Sequence, residues 1–350
     1  MMATQLATTP TTITKLLQYL QSHTTVSTFP YPLAGILIGS LITLCDLGLA
    51  DNDDLNLFVI TRDQKSLHLA SVELDDPNKV NQNLELRGIE QGNLLAALLA
   101  YRDGPNSIWF SDNQSESQEL LKLVFTTLNS LYAEEQHPHL FLAGWECKTI
   151  LDVRKVVKEI VWDDHPYGVY VLDDEVSLGS DVIAVGQEWM DDSMGKRFVM
   201  DHLARTDVEE MKKLSTVPYS DEYFDLVFGN PQLVNLSRCV REIVTKDGQE
   251  ITIPVSWALV HSNYSVGLAS TIETHTKKGL AAKATASLVK GYREFMDEQW
   301  EKHIGEKSAS RVRPYCFILH DNVASKRVFE GKLGFRRLEG EDHEWMGVRF

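Results

Sequence analysis

Along the chain the spacing of apolar residues changes period several times, and each change marks an element. Cys239–Thr245 and Ile251–His261 alternate like strands, and Asp247-Gly248 between them is a hairpin signal. Val266–Thr274 reads as a third strand after the turn at 262–265, so the three predict an antiparallel meander. The period then lengthens. Leu280, Ala284, Leu288, Tyr292 and Phe295 fall on one face, with Lys283, Lys290, Glu294 and Asp297 opposite, which predicts a long amphipathic helix reaching Trp300. A charged stretch, Glu301–Ser310, separates it from a strand at Pro314–Leu319. Val323–Leu333 follows as a helix, with Asp321 or Asn322 as its N-cap and Gly334 just past its end. From Phe335 to Arg349 the pattern predicts a strand pair. Asp201–Thr216 and Asp221–Phe228, ahead of the meander, read as helices.

The first half mixes both periods. It predicts helices at Ile13–His23, Ile89–Tyr101, Ser117–Leu131 and near Leu151–Ile160. Strands are predicted at Leu55–Thr61, Leu67–Leu74, Ser107–Ser111, Leu140–Trp145 and Tyr167–Leu172. Asp173–Met194 is polar and poor in periodicity apart from Val182–Val185, and the domain divide is placed there. The expected organisation is an acidic α/β domain over 1–195 and a second domain over 196–350, in the α/β (α+β) class.

Charge sharpens this division. The net charge is −16, and residues 1–195 carry −17 against +1 for 196–350. An acidic half disfavours nucleic-acid binding, which needs concentrated lysine and arginine, and serves mainly as a solvated surface. The apolar run 32–45 ends at Asp46 after 14 residues, too short to cross a bilayer. The Thr-rich start lacks the basic region and apolar core of a signal peptide. Cys45, Cys147, Cys239 and Cys316 lie far apart with no CxxC pair, so neither a zinc site nor a disulfide framework is expected. Together these features predict a cytoplasmic protein that holds no metal and does not engage membranes.

The chemistry concentrates where the third strand of the meander meets the long helix. The segment Thr276-Lys277-Lys278-Gly279-Leu280-Ala281 turns on one glycine and carries two lysines. A helix start leaves its first N–H groups without partners and places the positive end of the helix dipole beside them. Such a turn suits a phosphate or pyrophosphate, although surface lysines alone would look the same.

In this order of elements the C-terminal half resembles the GNAT acyltransferase fold. Members of that family carry Arg/Gln-x-x-Gly-x-Gly/Ala between the fourth strand and its helix, where this chain has Thr276 to Ala281. They also carry Asn-x-x-Ser/Ala, an aromatic position and Gly-Phe after the fifth strand; here these are Asn322, Ser325, Phe329 and Gly334-Phe335. Pro254-Val255-Ser256-Trp257 and Pro314-Tyr315 look like the glycine N-acyltransferase-like branch. The resemblance spans roughly residues 198–350, and the first half, with its recurring strands and helices, reads as a diverged copy lacking a phosphate loop. The resemblance implies that acyl-CoA lies where the fourth and fifth strands splay. Its pyrophosphate would sit on Lys277, Lys278, Gly279, Leu280, Ala281 and Ala282. Its pantetheine would pair with backbone near Ile272 and Thr274, and Asn322, Ser325 and Phe329 would contact it from the other side. Thr276 stands where the family has Arg or Gln, and Phe329 where many members have the tyrosine that protonates the leaving thiolate.

Aminolysis of a thioester needs a base for the amine proton. Glu273 and His275, at the strand end, are the candidate catalytic residues, against the plainer reading of a strand-end carboxylate and a solvent-facing ring. His261 is a lesser candidate, and Trp257 and Cys316 read as core. Two functions stay open. One is transfer of an acetyl or other short acyl group from acyl-CoA to a small amine or amino acid. The other is a non-catalytic module that binds acyl-CoA or a protein. No GxxxxGK[ST], GxGxxG, GxSxG or HExxH motif supports another enzyme class.

Overall fold

A computed structural model describes residues 4–6, 14, 16–18, 34, 37, 55–62, 67–68, 94–101, 107–110, 140–146, 153–154, 157–163, 166–215, 217, 219–304 and 312–349. The chain divides into two compact units. One comprises 1–168, 299–311 and 339–350; the other comprises 169–298 and 312–338.

In the first unit, β1 (Thr4–Leu6), β2 (Leu55–Arg62), β4 (Leu94–Tyr101) and β5 (Ser107–Phe110) form a sheet in that order, and β3 (Leu67–His68) pairs with β2. All its ladders are antiparallel. β4 corrects the predicted helix at Ile89–Tyr101. The run Leu-Leu-Ala-Ala-Leu-Leu-Ala-Tyr has no polar side on which a surface helix could meet water. It serves instead as a strand paired on both edges, with Leu57 opposite Leu99 and Ala97 opposite Trp109. Near 151–160 the described helical residues are Val153 and Arg154, and Glu159 already begins a strand. β6 (Leu140–Glu146) matches its prediction, and β7 (Glu159–Asp163) follows it. The predicted helix at 117–131 lies outside the described residues; residues 14 and 16–18 are helical, as expected for the first helix.

The second unit begins within β8 (Tyr167–Val171), which is buried along its whole length, and a polar stretch follows it. β9 (Glu188–Asp191) and β10 (Lys196–Asp201) then form an antiparallel pair, so a divide at 195/196 falls between bonded strands. Asp191 makes the turn, accepting from the backbone and hydroxyl of Ser193. The helix predicted from Asp201 starts later. Asp201 ends β10, a 3₁₀ turn spans Arg205–Asp207, and α1 runs from Val208 to Leu214. Ahead of the predicted helix, Phe198 and Met200, buried at alternate positions, carry a strand to which the sequence reading assigned no element. α2 (Asp221–Gly229) is capped by Ser220, and α3 (Pro231–Leu236) by Asn230.

β11 (Arg238–Lys246), β12 (Gln249–Val260) and β13 (Val266–Thr271) make the predicted meander. With β10 and β9 they form an antiparallel sheet ordered β13-β12-β11-β10-β9. Asp247 and Gly248 turn the β11–β12 hairpin with φ of 51° and 79°. α4 (Leu280–His303) packs Leu280 and Ala284 against Phe198, Met200, Val240 and Val255 on one face of this sheet. On the other face Val208 and Met211 of α1 and Phe224 of α2 meet Cys239, Trp257 and Leu259. Two cores on one sheet follow from its alternation, since successive residues point to opposite sides. β14 (Tyr315–Leu319) lies beside β8. α5 (Val323–Phe329) follows, and the chain leaves it through Gly334 at φ 76°. The final segment is one strand, β15 (Arg336–Arg349), not the predicted pair. Its later residues run antiparallel to β6 and β7 inside the first unit, which occupies the edges that a hairpin would have filled itself.

Candidate active site

β13 and β14 lie near each other, but no ladder joins them. The Tyr315 hydroxyl, at the start of β14, donates to the carbonyl of Asn263 just ahead of β13. β13 belongs to the meander sheet, whereas β14 is paired with β8. The edge of β13 away from β12 therefore carries backbone groups that no strand of its own sheet takes up.

Which groups these are follows from alternation. The N–H of Ile272 donates to Val255 of β12 at 2.9 Å, so Ile272 and Ser270 face β12, and Ala269 and Thr271 face the open edge. The carbonyl of Ile272 accepts from His275 N–H at 2.9 Å, so both of its backbone groups are engaged. The strand edge expected near Ile272–Thr274 is therefore not there, because β13 ends at Thr271 and Glu273–His275 is a 3₁₀ turn. The ladder to β12 also shifts register between Trp257 and Leu259, where Leu268 adopts φ 48°. This bulge turns the strand's polar groups out of the regular ladder.

The loop after the turn bends twice through left-handed backbone, at Lys277 (φ 63°) and Gly279 (φ 76°). Lys283 N–H makes the first bond of α4, to the Gly279 carbonyl at 3.0 Å, so the amides of Leu280, Ala281 and Ala282 lack intrahelical acceptors. Lys277 and Lys278 are exposed. Asp191 is held below the usual carboxylate range mainly by the Ser193 hydroxyl, and the Lys278 charge adds to the effect.

The structure separates the two candidate bases. Glu273 is exposed at the head of the turn, and among the described residues its carboxylate makes no ion pair. His275 is 3% exposed. Its Nε2 lies 2.9 Å from Glu242 Oε2 and 3.1 Å from Lys196 Nζ, and its Nδ1 lies 2.9 Å from Thr274 Oγ1. The expectation of a solvent-facing ring fails here, because a carboxylate on β11 and an ammonium on β10 draw the imidazole under the loop. Glu242 and Lys196 gave no sequence signal; only the register of β10 against β11 brings them together.

Across the split, Asn322 caps α5 by accepting from Ser325 N–H at 3.0 Å. Phe329 is buried edge-on against Phe335, with ring centres 5.1 Å apart. His320 is exposed beside Arg337. Cys316 is buried, as expected, and burial raises its thiol well above the ordinary value. Trp257 is fully buried core, also as expected. No described helix is long and apolar enough to cross a membrane. No group of three or more metal-ligating side chains occurs among the described residues.

These features define the class of fold. Two helices, a meander, a left-handed loop, a long helix, a further strand and a short helix come in the order expected of the GNAT fold. No family model matches the chain, and comparison with curated proteins by sequence finds no match. Among solved structures it is similar over 98% of its length to a Drosophila protein from a structural genomics consortium, with 97% of that chain covered, 13% identity and a TM-score of 0.57. A tandem GNAT protein from the clavulanic acid biosynthesis pathway aligns over 99% of this chain and 97% of its own, at 12% identity and TM-score 0.47. A GCN5-related N-acetyltransferase from Kribbella flavida aligns over 72% and 86%, at 13% identity and TM-score 0.40.

Proposed function

We propose that the second unit transfers an acetyl or other short acyl group from acyl-CoA to a primary amine by direct attack. The observation that carries this reading is the joining of two features. The unladdered edge of β13 suits an extended amide chain, and it leads straight to the outward amides and lysines of the 277–282 loop, which suit a pyrophosphate. A ligand with both parts in that order is coenzyme A. The bulge at Leu268 supports the chemistry, since backbone N–H groups turned off the ladder can stabilise a developing oxyanion.

In the proposed reaction the neutral amine attacks the thioester carbonyl, the C–S bond breaks, and the amine proton passes to a base. Glu273 fits that role better than His275, because no ion pair engages its carboxylate among the described residues and His275 is bonded at both ring nitrogens. The acceptor we propose is a small amine or amino acid, in line with the glycine N-acyltransferase-like look of Pro254–Trp257 and Pro314-Tyr315. We place the reaction in the cytoplasm. One observation favours a binding module instead: Phe329 offers no phenol for the leaving thiolate.

Calorimetry with CoA and thiol release from acetyl-CoA with a panel of amines separate these readings. An added Cβ on Gly279 meets nothing within 4 Å, but its φ of 76° strains any side chain, so Gly279→Asp, which places a negative charge where phosphate would approach, is read against Gly279→Asn, which carries the same strain without the charge. CoA affinity should fall at least tenfold, about 1.4 kcal/mol. Unchanged affinity removes the loop from the site, and CoA binding without thiol release selects the module.

A further inference from the structure

His261 closes β12, and its ring reaches across to the first residues of β13. A Cβ built on Gly267 would lie 2.0 Å from His261 Nε2 and 2.8 Å from Cδ2. The imidazole thus occupies the space that any side chain at 267 would need, so the glycine there is a steric requirement and not a requirement of φ. The other ring nitrogen is held as well, since Nδ1 shares a hydrogen bond with the Tyr223 hydroxyl of α2. Tyr219 stacks on Tyr223 with ring centres 4.6 Å apart and on the imidazole at 5.9 Å. Backbone bonds fix the turn beneath, from His261 N–H to Ser265 and from Tyr264 N–H to His261.

The residue after Gly267 is Leu268, the left-handed residue of the bulge. Leu268 also packs on the core that holds Tyr219, Tyr223 and Phe224. One ring, fixed from α2, therefore bears directly on the backbone just before the place where β13 leaves its ladder. A non-glycine residue at φ 48° is strained and holds only where its surroundings impose it.

We propose that His261 is a positioning residue that, braced by Tyr223, locks the β13 bulge and so aims the backbone donors at Leu268 and Ala269 toward the thioester carbonyl. This rests on the acyltransferase reading above. Burial pushes the imidazole down to about 4 and the Tyr223 phenol well above its usual value. Both groups are therefore neutral at pH 7, and the brace carries no charge that a substrate could displace.

The test uses the full chain with Tyr223→Phe, His261→Ala and His261→Gln, Gln having an amide that can still meet the tyrosine. Two quantities are read: amide hydrogen exchange at Leu268 and Ala269 without ligand, and kcat beside CoA affinity from calorimetry. A misaimed donor is expected to cost kcat roughly tenfold or more. His261→Ala should do so, with CoA affinity kept within about threefold and exchange faster at both amides. Tyr223→Phe should give the same pattern more weakly, and His261→Gln should recover part of kcat. Unchanged exchange in both Tyr223→Phe and His261→Ala overturns the proposal. So does a loss of CoA affinity in step with kcat, which would mark general loosening. Exchange needs no turnover. A wild-type protein without CoA binding or thiol release defeats the acyltransferase reading, while the exchange data still decide the brace.

Discussion

Glu273 and His275 are two residues apart, yet the structure treats them in opposite ways. The 3₁₀ turn points one outward and buries the other against Glu242 and Lys196. Sequence shows that both ends of such a turn are titratable, but not which of them a distant strand claims. If Glu273 takes the amine proton, Glu273→Gln keeps the shape and removes the base, and kcat should drop by about 10²-fold at neutral pH. The loss should narrow as pH rises, because more of the acceptor is then already neutral. Steady-state rates from pH 7 to 10 check this; near-normal kcat at pH 7 rules out Glu273 as the base.

At the scale of elements, legibility followed locality. The β11–β12 hairpin, the α4 stripe and the capped start of α5 are set by residues close in sequence, and each was readable. β4 was not, because an eight-residue apolar run fits a buried helix and a central strand alike, and its partners β2 and β5 decide. The start of α1 was misplaced for a different reason. It is set by a tertiary ion pair, in which Arg241 Nη1 and Nη2 grip both oxygens of buried Asp207 at 3.0 and 2.7 Å while Nε reaches Asp201 at 2.8 Å. That clamp fixes where β10 ends and the helix begins. Arg241→Met should leave the Asp207 carboxylate buried and unmatched, lowering stability by roughly 3–5 kcal/mol. Urea unfolding should show it as a lower midpoint at constant slope. Replacing both residues, as Arg241→Met with Asp207→Leu, should recover much of the loss.

For the whole chain, the charge asymmetry marks two halves, but the compact units are not drawn at 195/196. A fragment starting at residue 196 discards β9, the partner of β10. It also discards β8, whose neighbour Leu172 donates to the Pro314 carbonyl at 2.9 Å and whose following Asp173 pairs with Arg313 and Arg336. Residues 196–350 should therefore lack a cooperative thermal transition, whereas 166–338, which ends before β15 joins β6 and β7, should show one; calorimetric scans of both decide it. The 277–282 loop has a consequence for inheritance. On the proposed reading it would offer an anion a pair of left-handed dihedral angles and a row of amides, and every amino acid except proline brings the same amide. Thr276 supplies neither of those angles, so its side chain can vary without erasing the surface. Such a surface tolerates other letters where the backbone is right-handed and is constrained at Lys277 and Gly279, where it is not.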